Sequence, residues 1–218
     1  MSPVITIIGM ACHRAIIKPA CGGKTTTHPT DCSLAGLITF YRTNFAGDLA
    51  PEHFESLSTT LDFICGKPNG KTAPGEKYAK ASHQRRMTVA TVHAALQALN
   101  GLDACRFDDF DHLVEKVREI VEKKAVRGFG RLAIYDFSLR FGHKHRLMPE
   151  KFVYIQQGAR DGAVGLRAAG CLQFANRNWK IPIEAFPPEL QALGAMHIEN
   201  FLCNMKEYLR NLKNTTNQ

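Results

Sequence analysis

DHLVEKVREIVEKK, residues 111–124, is the stretch that decides the fold. Its apolar residues recur at the spacing of one helix face. They are Leu113, Val114, Val117, Ile120 and Val121. Aspartates crowd the start of the stretch and lysines occupy its last turn, and each charge there complements the helix dipole. The pattern therefore predicts an amphipathic helix over residues 111–124.

The same periodicity indicates helices on both sides of this stretch. The predicted helices cover residues 33–45, 52–65, 78–99, 131–141 and 188–212, and a short strand is predicted over 152–157. Small residues recur in 158–165, so this segment, if helical, would let another element approach closely. These elements predict an all-α fold, mostly helical and with little sheet. We expect an N-terminal arm or loop over 1–32, one compact helical domain over 33–213 and a frayed tail over 214–218.

Length and composition are those of a globular chain. Of the 218 residues, 44% are hydrophobic and 22% are charged. No apolar run approaches the length of a membrane span, so we expect no membrane partner. The seven cysteines are odd in number and loosely spaced, which favours a reducing, intracellular compartment, either cytoplasmic or associated with a nucleoid or nucleus.

Charge is unevenly distributed along the chain. The formal net charge is +8, and residues 123–151 contain eight Lys or Arg against two acids. Residues 101–122 instead contain seven acids against three bases, and residues 67–86 contain six bases against one acid. A basic surface attracts polyanions, so this segregation favours nucleic acid as a partner.

The basic stretch begins at a short turn, Val126-Arg-Gly-Phe-Gly130, between two predicted helices. Glycines allow a tight turn, and we expect a positive φ at Gly130. Backbone N–H groups at the start of the second helix can then hold a phosphate. A hydrophobic residue followed by Gly-x-Gly between helices resembles the hairpin of helix–hairpin–helix DNA-binding motifs. The predicted DNA-contacting residues are Lys124, Arg127, Gly128, Phe129, Gly130, Arg131, Lys144 and Arg146. A plain αα-hairpin, with glycine ending a helix, is the alternative.

Residues 111–150 also resemble part of the helix–hairpin–helix DNA glycosylases. Phe141-Gly142 closes the second helix much as in that family. Some members carry a Lys just after the second glycine and an Asp about twenty residues on. Leu132 and Glu150 stand near these positions here, so the catalytic residues of that family are not matched. The resemblance therefore implies only contact with the phosphate backbone of duplex DNA. It leaves catalysis, including base excision in DNA repair, undecided, and it implies no cofactor.

Weaker patterns suggest other chemistry. Gly22-Gly-Lys-Thr-Thr is similar to the end of a phosphate-binding loop but lacks its first glycine. Cysteines and histidines over 12–32 could supply zinc ligands, but they lack a paired Cys-x-x-Cys, so no metal is predicted. His143 and His145 are expected to be solvated on a basic loop. Trp179 suits either the edge of the core or stacking on a base.

Two other functions remain open at the level of sequence. One is a helical protein-interaction module with no nucleic-acid role. The other is an enzyme that acts on an unidentified small substrate. Salt-dependent binding to DNA would separate the DNA-binding interpretation from both.

Overall fold

The computed structural model describes residues 28–46 and 87–212. Within these ranges the protein is mostly helical, with seven α-helices and a single two-stranded sheet, which confirms the predicted all-α class. In chain order the elements are α1 (Leu34–Asn44), α2 (Val89–Ala98), α3 (Phe110–Lys123), α4 (Arg131–Lys144), β1 (Phe152–Tyr154), α5 (Gln157–Ala168), β2 (Lys180–Pro182), α6 (Pro188–Gln191) and α7 (Ala195–Leu209).

The first three helices begin at side chains that accept hydrogen bonds from the first turn. Ser33 accepts from the N–H of Gly36 at the start of α1, and Thr88 caps α2 in the same way. Asp109 caps α3 by accepting from the N–H of His112 at 2.8 Å. Capping of this kind satisfies a donor that the helix itself leaves unpaired.

The buried side chains of the described residues form two clusters, and strand β1 lies between them. The first cluster is built mainly from α2, α3 and α4, and the second mainly from α1, α5 and α7. Tyr154 of β1 belongs to the first cluster, whereas its neighbours Val153 and Ile155 belong to the second. Alternate residues of a strand point to opposite faces, so β1 contributes to both clusters. It pairs antiparallel with β2, with Val153 opposite Ile181.

Helices α5 and α7 approach each other closely through glycines. A Cβ added to Gly162 would lie 2.8 Å from the carbonyl carbon of Leu202, and one added to Gly165 would lie 2.7 Å from that of Leu209. Both neighbours are backbone atoms of α7, so neither can move aside as a side chain could. The expectation that the small residues of 158–165 allow close approach is therefore confirmed.

Several boundaries differ from those predicted. The helix predicted over 188–212 is two helices, because Gly194 adopts a φ of 82° between α6 and α7. Helix α4 continues past Gly142 to Lys144, and the strand predicted over 152–157 ends at Tyr154. Strand β2 was not predicted. The helix predicted over 78–99 instead begins at Val89, because Thr88 is extended and caps it. The predicted helix 52–65 and residues 78–86 lie outside the described residues, as do the predicted arm up to residue 27 and the tail.

Two further features of the fold are the state of its cysteines and the length of its helices. Cys32 is disulfide-bonded, whereas the loose spacing of the cysteines favoured a reducing compartment without a disulfide framework, and Cys105 and Cys171 have free thiols. No helix within the described ranges is both long enough and apolar enough to cross a membrane.

Candidate nucleic-acid interface

Helix α3 ends in a motif that reverses the chain. The N–H of Val126 donates to the carbonyl of Val121 at 3.1 Å, and the N–H of Ala125 donates to that of Glu122 at 3.0 Å. Ala125 lies between these bonds with a φ of 49°, in the left-handed region. This pair of bonds is the Schellman motif, which usually places glycine at the left-handed position. The turn between α3 and α4 therefore begins with a strained alanine.

The two glycines of the turn have different roles. Gly128 has a φ of 83°, and an added Cβ would lie 3.1 Å from Thr91 Oγ1, so both backbone conformation and space favour glycine there. Gly130 is the N-cap of α4, with a φ of −84°, and an added Cβ would meet no atom within 4 Å. The expectation of a positive φ at Gly130 was thus wrong, because the left-handed turn is made by Gly128 and Ala125.

Phe129 holds the turn against the protein core. Its side chain is 3% exposed and belongs to the first cluster, with its ring centroid 6.4 Å from that of Phe137. Phe129 therefore anchors the hairpin, and its side chain does not reach the surface at which DNA would lie. Gly130 occupies the N-cap position of α4 and has no side chain. The N–H groups in the first turn of α4 therefore receive no hydrogen bond from an N-cap side chain.

Three exposed cations surround this turn. Lys124 follows the last residue of α3, Arg127 lies in the turn and Arg131 begins α4. Across the described ranges, no carboxylate forms a salt bridge with any of the three. Among the described residues, the turn therefore presents cations that no salt bridge pairs, at the end of α4 where the helix dipole is also positive.

The other two predicted cations lie at the opposite end of α4. The helix has 14 residues, so its two ends are about 20 Å apart. Lys144 Nζ lies 2.9 Å from Asp103 Oδ1, and this pair offsets its charge. Arg146 is exposed and has a φ of 58°, at the left-handed position of a second Schellman motif in which Leu147 donates to the carbonyl of Gly142. The predicted contacts thus form two groups rather than one.

The histidines near this far end are not solvated loop residues, which corrects the sequence-based expectation. His143 lies in the last turn of α4, and both it and His145 are partly buried. The ring of His145 packs 4.7 Å from that of Phe141, and its Nε2 lies 3.8 Å from Asp103 Oδ1. Helix α4 continues to Lys144, which brings the His145 ring against Phe141 of the first cluster.

Trp179 lies beside the hairpin although it is distant in sequence. Its ring is partly buried at the edge of the first cluster and meets Tyr154 edge-on at 5.1 Å between centroids. The guanidinium carbon of Arg131 lies 5.9 Å from the Trp179 ring centroid. The residues that position Trp179 include Arg160, whose guanidinium donates to the carbonyl oxygens of Asn176 and Asn178 in the preceding loop.

A polar cluster that sequence reasoning missed ties α3 to the small sheet. Tyr154 donates its hydroxyl proton to Asp111 at 2.5 Å, and Lys180 donates to the same carboxylate oxygen at 3.2 Å. Burial, followed by the hydrogen bond to Asp111, raises the pKa of Tyr154 well above its usual range. Lys180 also lies 3.6 Å from Glu115. These side chains are satisfied by one another, and 43 residues separate Tyr154 from Asp111, so local spacing gives no signal for the pair.

Asp109 and Lys151 form a second link between α3 and the residues that precede β1. Their charged atoms lie 2.6 Å apart, and Asp109 also caps α3. The hydrogen bond from Lys151, and next the one from the backbone N–H of His112, lowers the pKa of Asp109. Lys151, which contributes to the basic stretch in sequence, is therefore paired in the fold.

The weaker sequence patterns gain no support from the described residues. Cys32 is disulfide-bonded, so its sulfur is not a thiolate that could bind zinc, and His28 Nδ1 lies 2.7 Å from the hydroxyl of Tyr208. Among the residues described, no group of three or more His, Cys, Asp or Glu side chains could hold a metal. The phosphate-loop pattern at residues 22–26 lies outside them.

Two grooves flank the turn. One, of about 380 Å³, is lined by residues of α3, the turn and α4, and its charged residues are Arg118, Glu122, Arg127 and Arg131. The other, of about 590 Å³, lies between α2 and the turn, and Lys124 and Arg127 contribute to it. Arg127 therefore lines both grooves, and the turn forms a ridge between them.

Comparisons of this chain with protein-family models, with curated proteins and with solved structures found no match.

Proposed function

We propose that the protein binds duplex DNA through its phosphate backbone, with the hairpin end of α4 as the contact surface. The observation that carries this proposal is the grouping of Lys124, Arg127 and Arg131, exposed and without acidic partners among the described residues, around an uncapped helix start. Backbone N–H groups and guanidinium groups both suit phosphate oxygens. Such contacts position a protein on DNA without reading its sequence.

The proposal concerns binding and leaves base excision aside. Leu132 is partly buried on α4, and Glu150 is exposed and follows the end of α4. The geometry therefore supports a phosphate-contacting hairpin more directly than a catalytic site. A DNA-binding role would place the protein at a nucleoid or in a nucleus.

The group at the hairpin and the group at the far end of α4 have different roles in the proposal. Lys144 is paired with Asp103, so it contributes little net charge to a phosphate. Arg146 is exposed about 20 Å from the hairpin, and it could reach a duplex only as a second, separate contact. We therefore assign the main contact to the hairpin group.

The test is the salt dependence of binding to a 20-base-pair duplex, measured by fluorescence anisotropy. The double variant Arg127→Ala/Arg131→Ala removes two hairpin cations. Each lost phosphate contact should reduce the slope of log K against log salt by about 0.9, so we expect a loss of up to about 1.8.

The matched control is Lys206→Ala/Arg210→Ala, which lowers the net charge equally at the end of α7. Arg210 is paired with Asp161 and Glu207, and this pairing makes it a poor phosphate ligand. The control should keep nearly the full slope. Equal slopes for the two double variants, or no binding by the unaltered chain at low salt, would refute the proposal. The second result would favour a protein-interaction module or an enzyme on a small substrate.

A further inference from the structure

The groove between α2 and the turn is large enough to hold a small molecule. Its volume of about 590 Å³ lies within the range of about 300–1,000 Å³ in which small-molecule sites fall. The described residues that line it are Thr88, Ala90, Thr91, Ala94, Gln97, Ala98, Lys124, Ala125, Val126 and Arg127.

The two walls of this groove differ in chemistry. The wall formed by the turn carries Lys124 and Arg127, and none of the described lining residues is acidic. The opposite wall is α2, where Ala90, Ala94 and Ala98 present methyl groups and Gln97 presents an exposed amide. The wall formed by the turn is thus suited to an anionic group. The wall formed by α2 is suited to the flat apolar face of a ligand that has one hydrogen-bonding edge.

The walls are joined at the bottom of the groove. Thr91 Oγ1 donates to the carbonyl of Arg127 at 3.1 Å, and the same hydroxyl lies 3.2 Å from Thr88 Oγ1. Gly128 lies against Thr91, where an added Cβ would be 3.1 Å from its hydroxyl oxygen. These contacts hold α2 and the turn together, so the groove is formed without a ligand.

We propose that this groove binds one nucleotide, with the phosphate at Lys124 and Arg127 and the base along α2 beside Gln97. A nucleotide combines the two features that the walls favour, an anionic phosphate group and a planar ring with a hydrogen-bonding edge. The inference extends the proposed function from the duplex backbone to a single unpaired nucleotide and shares Arg127 with it. The same chemistry is present in a free mononucleotide and in an unpaired nucleotide of a DNA strand, and the test separates these sources.

Filling the groove without altering charge provides the decisive variant. Ala90 is exposed on α2 and lines the groove, so Ala90→Leu adds bulk there and removes no core contact. His93 is exposed on the same helix and does not line the groove, so His93→Leu is the matched control. Circular dichroism melting of both variants checks that the full chain remains folded.

The first arm titrates the full-length chain with dAMP, dTMP and inorganic phosphate by calorimetry. We expect a nucleotide to bind more tightly than phosphate, a loss of at least about tenfold in Ala90→Leu, and no change in His93→Leu. Binding of nucleotides no tighter than phosphate, together with no preference for bulged DNA in the second arm, would overturn the inference.

The second arm compares a perfect 20-base-pair duplex with one that contains a single-nucleotide bulge. A preference for the bulge that Ala90→Leu abolishes, while the affinity for the perfect duplex persists, identifies the unpaired nucleotide of a strand as the ligand. Tight binding of free nucleotides without that preference identifies the mononucleotide. Equal behaviour of Ala90→Leu and His93→Leu in both arms would overturn the inference. If only the perfect duplex fails to bind, the proposed function is refuted and the inferred nucleotide site is retained.

Discussion

Replacing Gly162 by alanine tests the packing of α5 against α7. The added methyl would lie 2.8 Å from the carbonyl carbon and 2.9 Å from the Cα of Leu202, so the backbones of the two helices must separate. Overpacking of this kind costs about 3 kcal/mol, and the better helix propensity of alanine returns about 1 kcal/mol. We therefore expect a net loss of about 2 kcal/mol. For a chain of this length the loss corresponds to a fall in Tm of about 4–8 °C.

Two other glycines are suitable controls in the same melting assay, followed by circular dichroism. At Gly158 the nearest atom to an added Cβ is Cys203 Sγ at 2.7 Å, a side-chain atom that can rotate, so Gly158→Ala should cost less. Gly130 has an ordinary φ and open space, but it is the N-cap of α4, where glycine is preferred to alanine, so Gly130→Ala should lower Tm only slightly. A Gly162→Ala protein as stable as the unaltered chain would refute the close-packing argument.

Three further predictions concern the residues around the hairpin and the small sheet. Ala125→Gly should raise stability by about 0.5–1 kcal/mol, because glycine adopts the φ of 49° without strain, and an unchanged Tm would contradict this. Tyr154→Phe should cost about 1.5–3 kcal/mol in urea denaturation, because it removes a buried hydrogen bond to the Asp111 carboxylate, and a neutral result would show that the bond contributes nothing. Asp109→Ala should cost about 1 kcal/mol at neutral pH through loss of the helix cap, with a further contribution from Lys151 that solvent exposure keeps small. Because the pKa of Asp109 is lowered in the fold, its stabilisation is present above about pH 4, the ordinary value for an aspartate, and is lost as pH falls through the folded pKa. Melting curves between pH 7 and about pH 2 should therefore converge for the two proteins, and a constant difference would argue against the ionised cap.

The elements with strong periodicity could be predicted from the sequence, and those that depend on distant partners could not. The apolar stripe of α3 and the cap at Ser33 act through neighbouring residues, so their helices lie close to the predicted bounds. The break at Gly194 was missed because the apolar spacing of residues 190–209 continues across it, and only the φ of 82° ends the periodicity. Strand β2 has three residues and exists through its pairing with β1.

The same distinction between local patterns and distant partners applies to the candidate site. The position of the hairpin follows from local chemistry, because a charged helix end, a glycine in the left-handed region and a second helix are consecutive in the chain. Which cations remain available for a phosphate depends instead on pairs such as Lys144 with Asp103, which are 41 residues apart. Counting charges along the chain therefore overestimated the basic surface, because some of those charges are paired in the fold.

Pairing also explains why we assign the proposed contact to the hairpin end. Acids of residues 101–122 fold back onto the second half of the basic stretch, where Asp103 meets Lys144 and Asp109 meets Lys151. Within the described residues, no acid from that stretch forms a salt bridge with Arg127 or Arg131. In the fold, these acids pair with part of the basic stretch, so the remaining basic surface is smaller than the sequence indicates and is located where α4 begins. In the proposed complex, a phosphate at this end of the helix would meet the positive end of the dipole together with cations that form no salt bridge among the described residues.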